Sequence, residues 1–219
     1  MNPVYRLACS LACLLFLSCL SAARPIIAAE SQPAKATVRG ILGHAQFARG
    51  NNQFAALGPG MDLRPGDLIQ TASKSAIELD FGDRIGTVRL TESAVMVLGR
   101  IESIDGNPGG GSNIQLDLRG GEVLGNVKRV PTGSSFEVKT PAGLAQVVEG
   151  QFRVDTQGYV VVTQGKVLFA HVPATGEPTA NNLTAPPAVY FSPAEGLRPA
   201  PKPLEREVTK QLKAKIPQR

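Results

Sequence analysis

The side chains that most often carry out chemistry are sparse in this 219-residue chain. Its two histidines are His44 and His171. A zinc site needs several His, Cys or carboxylate ligands, and two histidines that are distant in sequence do not supply them. We therefore interpret His44 and His171 as surface or packed imidazoles. The sequence predicts no metal site and no cofactor site.

One group of carboxylates and one pair of serines remain as candidates for catalysis. Glu78, Asp80 and Asp83 could bind Ca²⁺ or a sugar, or act as a carboxylate pair in a cleft. Alternation places Glu78 and Asp80 on one solvent face, where charges are ordinarily just solvated. Ser134 and Ser135 follow a glycine without a G-x-S-x-G elbow, which favours a polar turn. We predict no catalytic residue and a protein that is not an enzyme.

Two short patterns have weak specificity. Residues 106–112, GNPGGGS, lack the Gly-Lys-Ser/Thr ending and the following helix of a phosphate-binding loop. Residues 182–184, Asn-Leu-Thr, match the glycosylation triplet, but a pattern of three residues is weak evidence. We expect a glycine-rich loop at the first position and no modification at the second.

Most of the chain alternates apolar and polar residues, which predicts strands with one buried face. In SAIELDF, residues 75–81, Ile77, Leu79 and Phe81 share the predicted inner face. In RPGDLIQT, residues 64–71, Pro65 and Gly66 predict a type II turn, because they supply the two backbone conformations that such a turn requires.

The stretch FEVKTPAGLAQVVEGQFRV, residues 136–154, shows the same period over its whole length. Its outward positions are predicted to be Glu137, Lys139, Glu149, Gln151 and Arg153. Its inward positions are predicted to be Phe136, Val138, Thr140, Ala142, Leu144, Val148, Gly150, Phe152 and Val154. The regular spacing therefore indicates packing instead of chemistry.

The N-terminus is typical of a secretory signal. Arg6 precedes an uncharged apolar run at residues 7–23, and small residues lead to Glu30, so we expect cleavage near Ala29. A membrane anchor is the alternative, although the run is short for a span. Lipid attachment at Cys19 is a further alternative. We expect a periplasmic or otherwise exported protein.

All three cysteines, Cys9, Cys13 and Cys19, lie inside this predicted signal. A chain cleaved near Ala29 would contain no disulfide, so its stability would come from packing and sheet hydrogen bonds. The predicted division is a signal at 1–29, a linker at 30–36 and a β domain at 37–170. A Pro/Ala-rich extended segment at 171–203 and a basic amphipathic helix at 204–216 follow.

The net charge of +5 belongs to the tail. Residues 30–197 contain 14 Lys and Arg against 16 Asp and Glu, whereas residues 198–219 contain 7 against 2. The nearly neutral body lacks the basic face of a nucleic-acid-binding protein. In the tail, Leu204, Val208, Leu212 and Ile216 recur every four residues, which predicts a helix. We expect this helix to pack on the β body; contact with anionic lipid or a partner is the alternative.

Three stretches carry a resemblance to a known family; they are, in order along the chain, RPGDLIQT, FEVKTPAGLAQVVEGQFRV and VVVTQGKVLF. On these stretches the chain resembles the FecR domain family from about Val38 to Phe169. One departure is Glu149-Gly150-Gln151, where the family usually has R-G-T. The residues that match its motifs are Gly66, Asp67, Ile69, Thr71, Phe136, Val138, Thr140, Pro141, Val148, Gly150, Phe152, Val154, Gly165 and Val167.

The resemblance implies an all-β fold, either a flattened two-layer β-roll or solenoid or a sandwich-like body, followed by the Pro-rich tail and short helix. In the namesake regulators this module follows an anti-sigma segment and a membrane span, and it responds to a TonB-dependent receptor. Since the apolar run begins at residue 7, we expect this chain to resemble the stand-alone exported members. The expected function is binding or scaffolding of an unidentified envelope protein or polysaccharide; the alternative is signal transduction with a sigma regulator.

Overall fold

The computed structural model describes residues 31–33, 35–50, 53–104 and 111–216. The predicted signal at 1–29 and most of the predicted glycine-rich loop lie outside the described residues. The all-β prediction is confirmed, since the described chain is built of strands with one helix, α1 (Lys202–Lys213). No described helix is long and apolar enough to cross a membrane.

The strands of the first part of the chain are short, with turns between them. They are β1 (Ser31–Pro33), β2 (Ala36–Leu42), β3 (Ala45–Arg49), β4 (Ala55–Ala56), β5 (Asp62–Leu63), β6 (Asp67–Thr71), β7 (Ala76–Asp80) and β8 (Gly86–Leu90). The later strands include the longest ones. They are β9 (Val95–Ile104), β10 (Ser112–Gly120), β11 (Glu122–Val127), β12 (Ser135–Thr140), β13 (Gly143–Asp155), β14 (Val160–His171), β15 (Thr179–Ala185), β16 (Val189–Ser192) and β17 (Gly196–Pro199).

Two long antiparallel strands, β13 and β14, join two halves of one curled sheet. Residues 143–146 of β13 pair with β12, and residues 150–155 pair with β11. We call the half that contains β12 half A; it continues through β10, β9, β6, β3 and β4. Half B contains β11 and continues through β8, β7, β2 and β5.

The core lies between the two halves. Ile69 and Leu116 of half A and Ile77 and Val88 of half B are buried in one apolar cluster. Along β7 the alternation is as predicted, with Ile77 and Leu79 fully buried. The inward faces of the two halves therefore supply a common interior, which is the two-layer arrangement expected from the sequence.

The corner between the halves depends on two glycines that face each other. Gly150 and Gly165 are opposite one another in β13 and β14, at φ values of +112° and +88°. A Cβ on Gly150 would lie 1.8 Å from the carbonyl oxygen of Gln164. Only glycine permits this approach and this backbone conformation, so the pair fixes where both strands turn from one half into the other.

The predicted inward positions of β13 were wrong at Leu144 and Val148. Ala145 and Val147 are buried instead, because a tight turn places Gly143 opposite Thr140 and moves the inner face to odd numbers. A register shift between residues 147 and 149 adds one residue and restores the even numbers at Phe152 and Val154.

The sheet also extends beyond the predicted β domain at both ends. Residues 31–33 of the predicted linker pair with β9, and β15 to β17 occupy much of the segment predicted as extended Pro/Ala-rich chain. Leu183 and Phe191 of this segment are buried. Much of this segment is therefore part of the sheet, because β14 offers an edge to β15 and β16, and β17 pairs with β16.

The packing of Phe152 gives a test of the core. Gly125 lies opposite Phe152, and a Cβ on Gly125 would lie 2.2 Å from the ring. The ring is fully buried and packs edge-on against Phe136 with centroids 6.5 Å apart, so it cannot move aside freely. We expect Gly125→Ala to lower the free energy of unfolding by roughly 1–3 kcal/mol in a denaturant titration.

The matched control is Gly58→Ala, where the added Cβ would meet its nearest neighbour, the Met61 sulfur, at an ordinary 3.6 Å. This variant should change stability little. Adding Phe152→Leu to Gly125→Ala should recover part of the loss. Equal stability of the two single alanine variants would contradict this account of the core.

Candidate functional site

The first motif element forms a turn that ends in a buried carboxylate. The N–H of Asp67 donates to the carbonyl of Arg64 at 3.1 Å, and Gly66 has φ +90°. This is the predicted type II turn with Pro65 at its second position. The turn places Asp67, which is fully buried, at the start of β6.

Asp67 is held by a two-point ion pair. Arg49 of β3 donates from Nε and Nη2 to the two Asp67 oxygens at 2.8 and 2.7 Å, and the Arg64 N–H donates at 2.9 Å. Burial by itself would raise the pKa of Asp67, but these hydrogen bonds and the adjacent positive charges outweigh it and hold the pKa below its ordinary value. Sequence analysis missed Arg49, because nothing local links it to the turn.

The other motif residues of β6 and the β12–β13 turn also have structural contacts. The Thr71 hydroxyl donates to the carbonyl of Thr91 at 2.5 Å and accepts from the Ala94 N–H at 2.9 Å. The Thr140 hydroxyl donates to the carbonyl of Gly143 at 3.2 Å, and Pro141 is exposed in the turn between them. These hydroxyls close turns between neighbouring strands.

The remaining motif positions belong to the core and the corner. Gly150 and Gly165 form the corner described above, and Val148 is the half-buried extra residue of β13. The buried positions are Ile69, Phe136, Val138, Phe152, Val154 and Val167. Every motif residue thus has a place in a turn, a corner or the core.

The two histidines lie in different environments. His44 is exposed. His171 is buried, with Nδ1 2.9 Å from the carbonyl oxygen of Ala142, and its ring packs 6.0 Å from Phe169 and 5.3 Å from Phe191. The described part of the chain holds no group of three or more His, Cys, Asp and Glu arranged for a metal ion.

The carboxylate candidates are engaged separately. Glu78 pairs with Arg89 at 2.9 Å and with Arg39 at 3.4 Å, whereas Asp80 accepts a hydrogen bond from the N–H of Gly82 at 2.8 Å. Glu78 lines an open cleft of about 590 Å³ with both arginines, and Asp80 and Asp83 do not line it. A pair of carboxylates, which glycoside hydrolysis requires, is therefore not brought together in this cleft.

The serine pair and Asn182 have ordinary strand environments. The Ser134 hydroxyl accepts a hydrogen bond from the N–H of Ser112 at 2.9 Å, and the Ser135 hydroxyl donates to Asn113 at 3.0 Å. These contacts join the beginnings of β10 and β12, as expected for a polar turn. Asn182 is exposed on β15.

Helix α1 packs on the outer face of half B. Val208 is fully buried there against Leu124 of β11 and Val161 of β14, and Leu204 and Leu212 flank it. These three helix residues belong to the predicted apolar stripe; Ile216 lies beyond the helix end. The helix therefore lies on the β body through the face that the sequence indicated.

Charged side chains of the sheet contact the middle and the C-terminal end of this helix. The Arg89 guanidinium donates to the carbonyls of Gln211 and Ala214 at the end of α1. Arg153 lies 3.4 Å from Glu122 and 3.7 Å from Glu207 of the helix. Burial raises the pKa of Glu122, against the lowering effect of the nearby Arg153 charge. An arginine at the C-terminal carbonyls is favoured by the helix dipole.

Strand β15 is an edge strand in the described structure. It pairs along its whole length with β14, without a register shift, and no other described strand is hydrogen-bonded to it. Its sequence, TANNLTA, contains no charge and no proline. Natural sheet edges are commonly blunted by such residues or by bulges, so β15 is unusually free to pair with another strand.

Comparison with known proteins gives a family for the central part of the chain. Residues 67–168 match the family model described as FecR protein. The chain carries a FecR-family domain. No curated protein and no solved structure matches it significantly. The family is consistent with a component of signal transduction.

The Asp67 turn of the FecR domain predicts a dependence of stability on acid. Because the folded pKa of Asp67 lies below its unfolded value of about 3.9, its stabilising contribution is complete above that value and is lost as pH falls through the folded pKa. We expect Asp67→Asn to lower the free energy of unfolding at pH 7 by roughly 1.5–3 kcal/mol, the range for hydrogen bonds to a charged group.

The measurement is a series of denaturant titrations between neutral and acidic pH. The difference between wild type and Asp67→Asn should shrink as the pH falls below about 4. Asp62→Asn is the control, since Asp62 is also paired, with Lys35, but is exposed and should contribute much less. A difference for Asp67→Asn that did not change with pH would show that the carboxylate charge is not what stabilises the turn.

Proposed function

We propose that this protein is a non-enzymatic binding module of the cell envelope that recognises a partner protein by adding one of its strands to the edge of β15. The FecR-family domain supports a module of signalling systems, and the N-terminal secretory pattern supports export. The observation that carries the proposal is the unprotected edge of β15.

Strand addition suits this edge because the partner binds mainly through its backbone. In an antiparallel pair, alternate residues direct their N–H and C=O groups to the same side, so seven residues offer about three or four such positions. Leu183 and Ala185 face the interior, while Ala180, Asn182 and Thr184 are exposed on the outer face. A partner strand would extend the sheet beyond β15 without disturbing its core.

The exposed side chains of β15 do not oppose the pairing of another strand. Its exposed side chains are small and neutral, so they impose neither charge repulsion nor a large apolar surface on an incoming strand. Affinity would come from main-chain hydrogen bonds, and specificity from the side chains that flank them. The pairing with β14 has no register shift, so no bulge interrupts the edge.

A photo-crosslinking residue at Thr184 in the full chain, expressed in its native cell, tests this proposal. We expect one discrete protein adduct, which mass spectrometry would identify. Ala180→Lys combined with Asn182→Lys should abolish the adduct, because lysines on an edge strand oppose pairing. An adduct of twice the chain mass would identify the partner as a second copy.

The register supplies a matched control. Ala170 and Leu168 of β14 lie directly opposite Ala180 and Asn182 and are exposed on the same face. Ala170→Lys with Leu168→Lys adds the same charges one strand away from the edge and should leave the adduct in place. The proposal fails if the β15 variant still forms the adduct, or if both variants lose it equally.

A second candidate, signal transduction with a sigma regulator, is favoured by the family match. It requires a partner that carries the message across the membrane. We expect deletion of the gene to change the transcripts of a defined regulon under envelope or iron stress, and RNA sequencing would measure this. The wild-type gene should restore the pattern, and the Ala180→Lys, Asn182→Lys variant should not. An unchanged transcript profile under both stresses would remove this candidate.

A further inference from the structure

The exposed side of α1 carries a row of basic residues. Lys202, Arg206, Lys210 and Lys213 are all exposed, and they recur at intervals of four, four and three residues. On a helix with 3.6 residues per turn they fall within an arc of roughly 80°. We call these four residues the basic stripe.

The basic stripe lies almost opposite the packed face of the helix. Its centre is about 160° around the helix from the centre of the Leu204, Val208 and Leu212 stripe. Since Val208 is fully buried on half B and Arg89 holds the end of the helix, the rotation of α1 is fixed. The basic stripe must therefore point away from the sheet.

The acidic residues of the helix lie outside the stripe. Glu207 points back towards the sheet, 3.7 Å from Arg153, and Glu205 is only partly exposed beside Leu204. Lys215 adds another exposed positive charge just beyond the helix. Residues 30–197 contain 14 basic against 16 acidic residues, so the net positive charge of residues 30–219 comes from the tail.

The geometry of the stripe indicates the kind of surface that it fits. From Lys202 to Lys213 it extends about 16 Å along the helix axis. It is a row of four cations on one face of a helix, which can contact several phosphate groups in a plane at the same time. The helix face that carries it contains no aromatic side chain on which a nucleic-acid base would stack. A plane of anionic lipid headgroups is the surface that matches it.

We propose that the basic stripe of α1 docks this protein on the surface of a membrane that contains anionic phospholipid. The apolar face of α1 stays packed on half B, so the helix does not enter the hydrocarbon region. The contact is electrostatic and reversible, and it weakens with salt because exposed charges are screened. This inference is independent of the β15 edge, which lies in another part of the sheet.

The absence of tryptophan from the chain allows a local test. Thr209→Trp places a single fluorophore beside the basic stripe in the full chain. Vesicles of phosphatidylglycerol and phosphatidylcholine that contain a headgroup spin label should quench it, and pure phosphatidylcholine vesicles with the same label should not. The apparent affinity should fall at least about tenfold between low and high salt.

Two charge variants in the Thr209→Trp background distinguish an effect of the basic stripe on membrane binding from an effect of net charge. Replacing Lys202, Arg206, Lys210 and Lys213 by Gln should abolish the quenching. Replacing Arg84, Arg100, Arg129 and Lys139 by Gln removes the same number of exposed charges from the sheet and its loops and should preserve it. Thermal unfolding followed by circular dichroism should be unchanged in both, which shows that the fold is intact.

A second reporter position distinguishes membrane binding through the basic stripe from membrane attachment through the N-terminal apolar run. Phe54→Trp places the fluorophore on an exposed loop of half A and should remain unquenched. Equal quenching on neutral vesicles, persistence in the four-Gln stripe variant, or the same loss in the sheet variant would overturn the proposal. An absence of quenching on anionic vesicles at low salt would overturn it as well and would favour an acidic protein surface.

Discussion

The close approach of β13 and β14 at Gly150 and Gly165 is the constraint on which the rest of the sheet depends. Each strand contributes to both halves, so the two halves can enclose a core only if both strands turn at the same level. A side chain at either glycine would collide with the backbone of the other strand. The register shifts beside this pair change which residues face inwards, and they match the side chains of β13 to the interiors of both halves.

The stability of the helix on half B depends both on its own sequence and on its packing against the sheet. A twelve-residue helix is marginal by itself in water, even with proline in its first turn and lysines in its last. Its stability therefore comes from Val208 in the interface and from Arg89, which connects Glu78 of the sheet to the helix carbonyls. The Arg89 Nε is buried without a hydrogen-bond partner among the described residues, which costs free energy. The other hydrogen bonds of the guanidinium offset this cost.

The family-matched segment and the two candidate interaction surfaces occupy different parts of the chain. The match ends at residue 168, whereas β15 begins at Thr179 and α1 at Lys202. The motif residues build the turn at Asp67, the glycine corner and the core. A shared scaffold with separate surfaces for recognition is a common arrangement, because residues that maintain packing are rarely free to contact a partner. This division explains why the motifs alone indicate a family without indicating a ligand.

The strand character, the turn at Pro65-Gly66 and the apolar stripe of α1 could be predicted from the sequence, because each depends on a few neighbouring residues. The sequence did not determine the inner face of β13, where a tight turn and a bulge reverse the alternation. It also did not determine the pairing of Arg49 with Asp67, the edge position of β15 or the direction of the basic stripe. These depend on which distant strands lie side by side, and that is decided only when the long strands turn at the glycine corner and the two halves close over one core.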